Sequence, residues 1–64
     1  MGNTYQHYKG AFYSKICLAE HTEDDVILVI YKDEKGHIWA RPIEMFFGNV
    51  EVDGVIVPRF KKVD

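Results

Sequence analysis

Apolar and polar positions alternate with a period of two through much of this chain. From Ala11 to Ala19, Phe12, Ser14, Ile16 and Leu18 share one face and Tyr13, Lys15, Cys17 and Ala19 the other, which predicts a first strand. The charged stretch from Glu20 to Asp25 reads as a loop. Val26 to Tyr31 is apolar on both faces and predicts the central, most buried strand. Lys32 to Gly36 is a polar hairpin turn in which Gly36 supplies a positive φ. His37 to Arg41 is the third strand, with Ile38 and Ala40 on one face and Trp39 and Arg41 on the other.

Pro42 has no N–H for a ladder and ends that strand. The segment from Pro42 predicts one helical turn near 43–47, with proline at the first helical position and Gly48 or Asn49 closing it in the left-handed region. Ile43, Phe46 and Phe47 are expected to plug one end of a barrel. Val50 to Val52 and Val55 to Val57 flank Asp53-Gly54, the preferred pair for a two-residue type I′ hairpin. The sum is an all-β fold: a small five-stranded SH3-like barrel with one helical turn. An OB-like barrel, which needs more chain and a longer helix, ranks second. Residues 1–64 read as a single domain, with 1–4 and 61–64 as flexible ends.

Size makes this core thin. A chain of 64 residues buries only about 60% of the surface it exposes when unfolded. Four Phe, four Tyr and one Trp are a large aromatic share for such a core. Phe12, Phe46 and Phe47 read as core and Tyr13 is open. Tyr5, Tyr8, Tyr31 and Trp39 exceed what a minimal barrel requires.

Charge narrows the partners. A net charge of −2 excludes a generally basic, phosphate-neutralising surface. Glu20, Glu23, Asp24 and Asp25 form an acidic knot, and Arg59, Lys61 and Lys62 a basic end, both read as solvated loop and tail. Arg59 and Phe60 follow Pro58 and can fold back on the Trp39–Arg41 end. Cys17 is the only cysteine, which excludes an intrachain disulfide and suits a reducing, cytoplasmic setting. Its apolar neighbours predict a buried, inert thiol. No apolar run has the length of a membrane span or the shape of a signal peptide. Gln6 stands where a myristoylation signal needs Ser or Thr.

No phosphate loop, dinucleotide fingerprint, paired-cysteine zinc motif or nucleophile elbow is present. Candidate chemistry therefore rests on aromatic and polar clusters. His7 can donate to an anion or act as a base, or simply tie the N-terminal segment down. His21 and Glu23 form a conceivable orienting pair, though Thr22 and Glu23 also suit loop capping. His7, His21 and Glu23 are the ligand types zinc takes, but their spacing does not support a metal site, and neither a metal nor a cofactor is expected. Trp39 and Arg41, two apart on one strand, are placed to stack.

The strings Tyr5-x-His7-Tyr8-Lys9-Gly10, Ala19-x-His21-Thr22-Glu23, Val29-x-Tyr31, Trp39-x-Arg41-Pro42-x-x-Met45-Phe46 and Pro58-Arg59-Phe60 resemble a small bacterial family, domain of unknown function 1653. The resemblance spans Tyr5 to Phe60. It implies an SH3-like barrel and no particular activity. Asp24, where the family usually has a second Thr, and the charged 32–36 hairpin depart from its pattern. Its recurring polar and aromatic residues fall on His7, Lys9, His21, Glu23, Tyr31, Trp39, Arg41 and Arg59. With Tyr8, these are expected to converge at one end of the barrel.

Three functions follow. The first is a binding module that recognises an anionic small molecule, peptide or nucleic acid through His7, Tyr8, Trp39 and Arg41. The second is a small enzyme using His7, or His21 with Glu23. The third is an accessory protein with an apolar patch around Met45, Phe46 and Phe47. A monomer or weak homo-oligomer with no membrane partner fits all three.

Overall fold

The computed structural model describes residues 3–63. Seven strands and one short helix follow in order: β1 (Thr4–His7), β2 (Phe12–Glu20), β3 (Ile27–Asp33), β4 (Ile38–Pro42), α1 (Ile43–Phe46), β5 (Asn49–Val52), β6 (Val55–Pro58) and β7 (Phe60–Lys62). The fold is all-β with one short helix. Five strands form an antiparallel sheet in the order β4-β3-β2-β1-β7, and β5 and β6 pair only with each other. The expected five strands are thus seven, and the two sheets are not closed into a barrel.

The two additional strands lie near the termini and overlap the expected flexible ends only at Thr4, Lys61 and Lys62. Thr4 begins β1, and Lys61 and Lys62 belong to β7. Tyr5 pairs with Tyr13 on one side and Lys62 on the other, so the terminal segments hold each other within the sheet. Their short length and polar outward residues hide them from pattern reading.

The β1–β2 and β3–β4 hairpins share one design. Gly10 N–H donates to the His7 carbonyl and Gly36 N–H to the Asp33 carbonyl, at 2.8 and 3.1 Å. Gly10 and Gly36 sit at φ 111° and 86°, as a three-residue hairpin loop requires. The opening side chain braces each turn: His7 Nδ1 accepts from Lys9 N–H and Asp33 Oδ1 from Lys35 N–H. Asp53 and Gly54, at φ 51° and 80°, make the predicted primed turn. Gly48 does not take the left-handed conformation. Phe47 closes α1, and a Cβ on Gly48 would stand 2.6 Å from the Glu44 carbonyl oxygen, so close approach is what requires glycine there.

The core lies on one face of the sheet. Tyr5, Val29, Tyr31, Phe46 and Phe60 are buried, and Tyr13 and Ile43 pack against them. Phe46 on α1 stacks flat on Phe60 at 4.2 Å and meets Tyr5 and Tyr31 at 5.3 Å each. This geometry revises the aromatic assignments. Tyr5 and Tyr31 are core, whereas Phe12 and Phe47 are 42% and 49% exposed. A bulge explains much of β2: Lys15 pairs with Tyr31 but Cys17 with Ile30, leaving Ile16 unpaired. The extra residue flips the alternation. Tyr13 and Lys15 share the core face, while Cys17 turns to the other side and is exposed rather than buried.

Candidate functional site

The β1–β2 turn positions His7 on the core face, directly opposite Phe60 in the β1–β7 ladder. Its ring meets Phe60 at 4.9 Å and Tyr8 at 4.5 Å. Because Nδ1 accepts from the Lys9 backbone, neutral His7 carries its proton on Nε2 and keeps it as a donor. Burial, together with the positive fields of Arg41, Arg59 and Lys9, holds the His7 imidazole below its ordinary value.

Arg41 reaches the same place from β4. Val29 pairs with Arg41 and Tyr31 with Trp39, so both β4 side chains rise from the core face. Arg41 Nε donates to the Tyr31 hydroxyl at 3.3 Å, and the guanidinium lies 5.8 Å from the centre of the Phe60 ring. Arg59 sits between β6 and β7, where its backbone N–H donates to the Gly48 carbonyl and its carbonyl accepts from Tyr8 N–H. Its side-chain Nε is buried and has no hydrogen-bond partner. Among the described residues, no carboxylate pairs with Arg41, Arg59 or Lys9.

A cleft of about 430 Å³ opens beside this cluster. Gln6, His7, Tyr8 and Lys61 line it from the sheet, and Val52, Val57 and Pro58 from the β5–β6 hairpin. It therefore offers a donor-bearing side and an apolar side to one occupant. No described group of His, Cys, Asp and Glu residues has a metal-binding arrangement.

The predicted residues divide. His7, Lys9, Arg41 and Arg59 share one neighbourhood, since the fields of all three cations reach His7; Arg41 and His7 meet Phe60, Tyr8 lies beside His7, and the Lys9 ammonium is 5.8 Å from the Tyr8 ring centre. Tyr31 serves as the buried floor rather than as exposed surface. Trp39 joins a different group. Its indole N–H donates to Asp33 Oδ2 at 3.0 Å, and its ring packs on His37 at 4.3 Å. The expected Trp39–Arg41 stack is replaced by Arg41 over Phe60, because Tyr31 and Phe60 hold the guanidinium on the inner side. Asp33 was missed by sequence reading, whereas Phe60, expected to fold back on the Trp39–Arg41 end, lies under Arg41. An Asp opening a glycine-closed turn is the signal that could have marked Asp33.

His21 and Glu23 lie elsewhere. Gln6 pairs with Phe12 at one end of β2, and His21 follows Glu20 at the other, roughly 25 Å away at strand rise. His21 Nδ1 accepts from the backbone N–H groups of Glu23 and Asp24 at 3.1 Å each, which makes it a turn brace. Its ring bonds the Glu23 backbone, not the Glu23 carboxylate.

These features define a small all-β domain in which Arg41, Arg59 and Lys9 gather around His7 at one end of an open sheet, with a cleft lined by His7 and Tyr8 beside them. The chain belongs to the family described as "Protein of unknown function (DUF1653)", whose profile matches residues 3–62. It is similar to a crystal structure of a DUF1653 protein from Bordetella bronchiseptica, with 27% identity and a TM-score of 0.86 over 98% of this chain and 86% of that one. No curated protein matches. Among the described residues, no helix is long and apolar enough to cross a membrane.

Proposed function

We propose that this domain is a binding module whose His7-lined cleft, with Arg41 and Arg59 close behind His7, takes up an anionic ligand, a phosphate or carboxylate on a small molecule or peptide. One observation carries the reading: Arg59 Nε is buried without a partner beside a second arginine, and no described carboxylate neutralises either. An unsatisfied donor of this kind costs free energy that a bound oxyanion returns. Two guanidinium groups suit the forked geometry of phosphate or carboxylate. Neutral His7 adds one N–H donor, and Val52, Val57 and Pro58 offer apolar surface to the rest of the ligand. The open sheet capped by α1 supports reading the fold as an SH3-like barrel with its wall parted. An exposed free thiol at Cys17 supports a reducing, cytoplasmic setting.

The test is a thermal-shift series with inorganic phosphate, sugar phosphates, nucleotides, acidic peptides and short single-stranded oligonucleotides. Arg41→Ala and Arg59→Met serve as controls. At a hundredfold excess over Kd, a true ligand adds about 2.7 kcal/mol, a rise of several degrees for a domain of this size. Loss of that rise in both variants supports the pocket. A rise retained in both removes it from the account.

A further inference from the structure

The sheet ends on β4, and the turn before that strand sets which way its backbone groups point. Asp33 N–H donates to the His37 carbonyl at 3.0 Å, so Asp33 and His37 are a bonded pair. Antiparallel pairs alternate between bonded and non-bonded, which makes Tyr31–Trp39 and Val29–Arg41 the next bonded pairs. Trp39 and Arg41 therefore direct their N–H and C=O groups to β3. Ile38 and Ala40 direct theirs the other way, to an edge where β4 has no neighbouring strand among the described residues. Pro42 falls in the outward phase, where its missing N–H leaves no gap in the ladder. Ile38 and Ala40 are both exposed, so two N–H and two C=O groups stand open in a row.

The opposite edge of the same sheet is guarded. β7 is three residues long, and Lys61 and Lys62 supply the charge that discourages strand addition. On β4 the one charge, Arg41, is turned in over Phe60 and leaves Ile38 to Ala40 unguarded.

Side chains select the occupant of this edge. A strand added to β4 bonds to Ile38 and Ala40, so Trp39 and Arg41 take the non-bonded positions, where cross-strand side chains are closest. The Trp39 ring is held in one orientation by its bond to Asp33 Oδ2 and by His37 against it, yet is 46% exposed. It offers an ordered apolar surface. Arg41 offers a guanidinium that donates through Nε to Tyr31 and pairs with no described carboxylate. A fitting occupant is extended, apolar beside Trp39 and acidic beside Arg41. A second copy of the same edge does not fit, because Ile38–Pro42 carries no acidic residue to set against Arg41.

We propose that β4 is a strand-addition site for an acidic peptide segment of a partner protein. The segment pairs antiparallel with Ile38–Ala40 along the free edge, with a carboxylate opposite Arg41 and, two residues further along the peptide, an apolar side chain opposite Trp39. Main-chain hydrogen bonds hold the peptide, and the Trp39–Arg41 pair selects it. This rests on the anion reading above only for the carboxylate at Arg41; the backbone pairing does not involve the cleft.

Amide hydrogen exchange of the full chain, followed by NMR, tests this with a capped heptapeptide of threonines that has glutamate third and valine fifth. In the free chain the Ile38 and Ala40 amides exchange fast, and the Trp39 and Arg41 amides, bonded to β3, exchange slowly. The peptide slows Ile38 and Ala40. Methylating the nitrogen of its fourth residue, which faces β4 opposite Ala40, weakens binding about tenfold, whereas methylating the fifth, which faces away, leaves it unchanged. Glutamine in place of the glutamate weakens binding several-fold. Ala40→Pro removes one outward N–H, spares the β3 ladder and weakens peptide binding, while phosphate binding at the cleft is unaffected. Ile38 and Ala40 amides already protected in the free chain overturn the proposal, as does protection that arises from self-association of the chain. Binding indifferent to which nitrogen is methylated overturns strand addition, and binding indifferent to glutamine overturns the acidic selectivity. If the peptide leaves the edge unprotected while phosphate still binds, strand addition falls and the anion reading stands. If phosphate fails as well, both fall.

Discussion

Replacing Phe46 by alanine tests the packing that holds the pocket together. The Phe46 ring is fully buried, stacks on Phe60, and meets Tyr5, Tyr31 and Phe47 within 5.3 Å. Phenylalanine-to-alanine changes in a core cost about 3–5 kcal/mol, and lost aromatic pairing puts this one at the upper end. A domain of this length has only about 3–10 kcal/mol of total stability. Phe46→Ala is therefore expected to leave the chain marginal or unfolded at 25 °C. The control is next door. Phe47 is 49% exposed, so Phe47→Ala is expected to cost about 1 kcal/mol, a small part of the Phe46 effect. Urea titrations followed by far-UV circular dichroism give both values from the same baseline. Should Phe47→Ala cost as much as Phe46→Ala, the core has been assigned to the wrong ring and the floor under Arg41 with it.

Gly48→Ala forces a Cβ against the Glu44 carbonyl and is expected to cost about 1–3 kcal/mol by urea midpoint; a neutral change refutes the close approach. His7 titrates lower in the folded chain than in the unfolded one, so the unfolded state binds more proton near that range. Its contribution to stability is complete above about pH 6.5 and is lost as pH falls from there through the folded value, a slope that His7→Gln removes. Anion binding has the opposite sign: a bound anion favours the imidazolium, so affinity rises as pH falls through the same range, which calorimetry at several pH values measures. The Trp39 indole is the main cause that holds the Asp33 carboxyl below its usual value, ahead of the His37 and Lys35 backbone donors. Trp39→Phe is expected to raise the Asp33 titration in a carbon-detected NMR experiment, and an unchanged titration refutes that hydrogen bond.

Local signals in the sequence carried part of this structure. Val26 to Tyr31 announced the most buried strand, and Val29 and Tyr31 are in the core. Asp53-Gly54 and Gly36 announced their turns through a conformation few other residues tolerate. What stayed hidden depends on non-local pairing. Thr4–His7 and Phe60–Lys62 become strands because they pair with each other, and neither segment alone has the length or alternation to say so. The bulge at Ile16 reverses the faces of β2, and no residue type forces a bulge there. Tyr5 and Tyr31 looked like surface because tyrosine serves in both places. Four of the five buried hydrophobics are aromatic, so this small domain spends on packing the residues that suggest recognition.

For the candidate site, residue types were legible and neighbourhoods were not. Lys9 and His7 adjoin in sequence, but Arg41 and Arg59 reach them through the sheet register and the β6–β7 junction. His21 looked equivalent to His7. Each braces a turn through Nδ1, yet only His7 faces arginines.

Arginine side-chain NMR tests the central claim most directly. The Nε–H resonance of Arg59 is followed while inorganic phosphate is added at constant ionic strength. The account predicts a saturable shift of that resonance, with Arg41 Nε and His7 Nε2 moving along the same curve and the Cys17 amide unmoved. An Arg59 Nε–H that stays still while the protein is otherwise folded, or that moves equally with chloride, contradicts it.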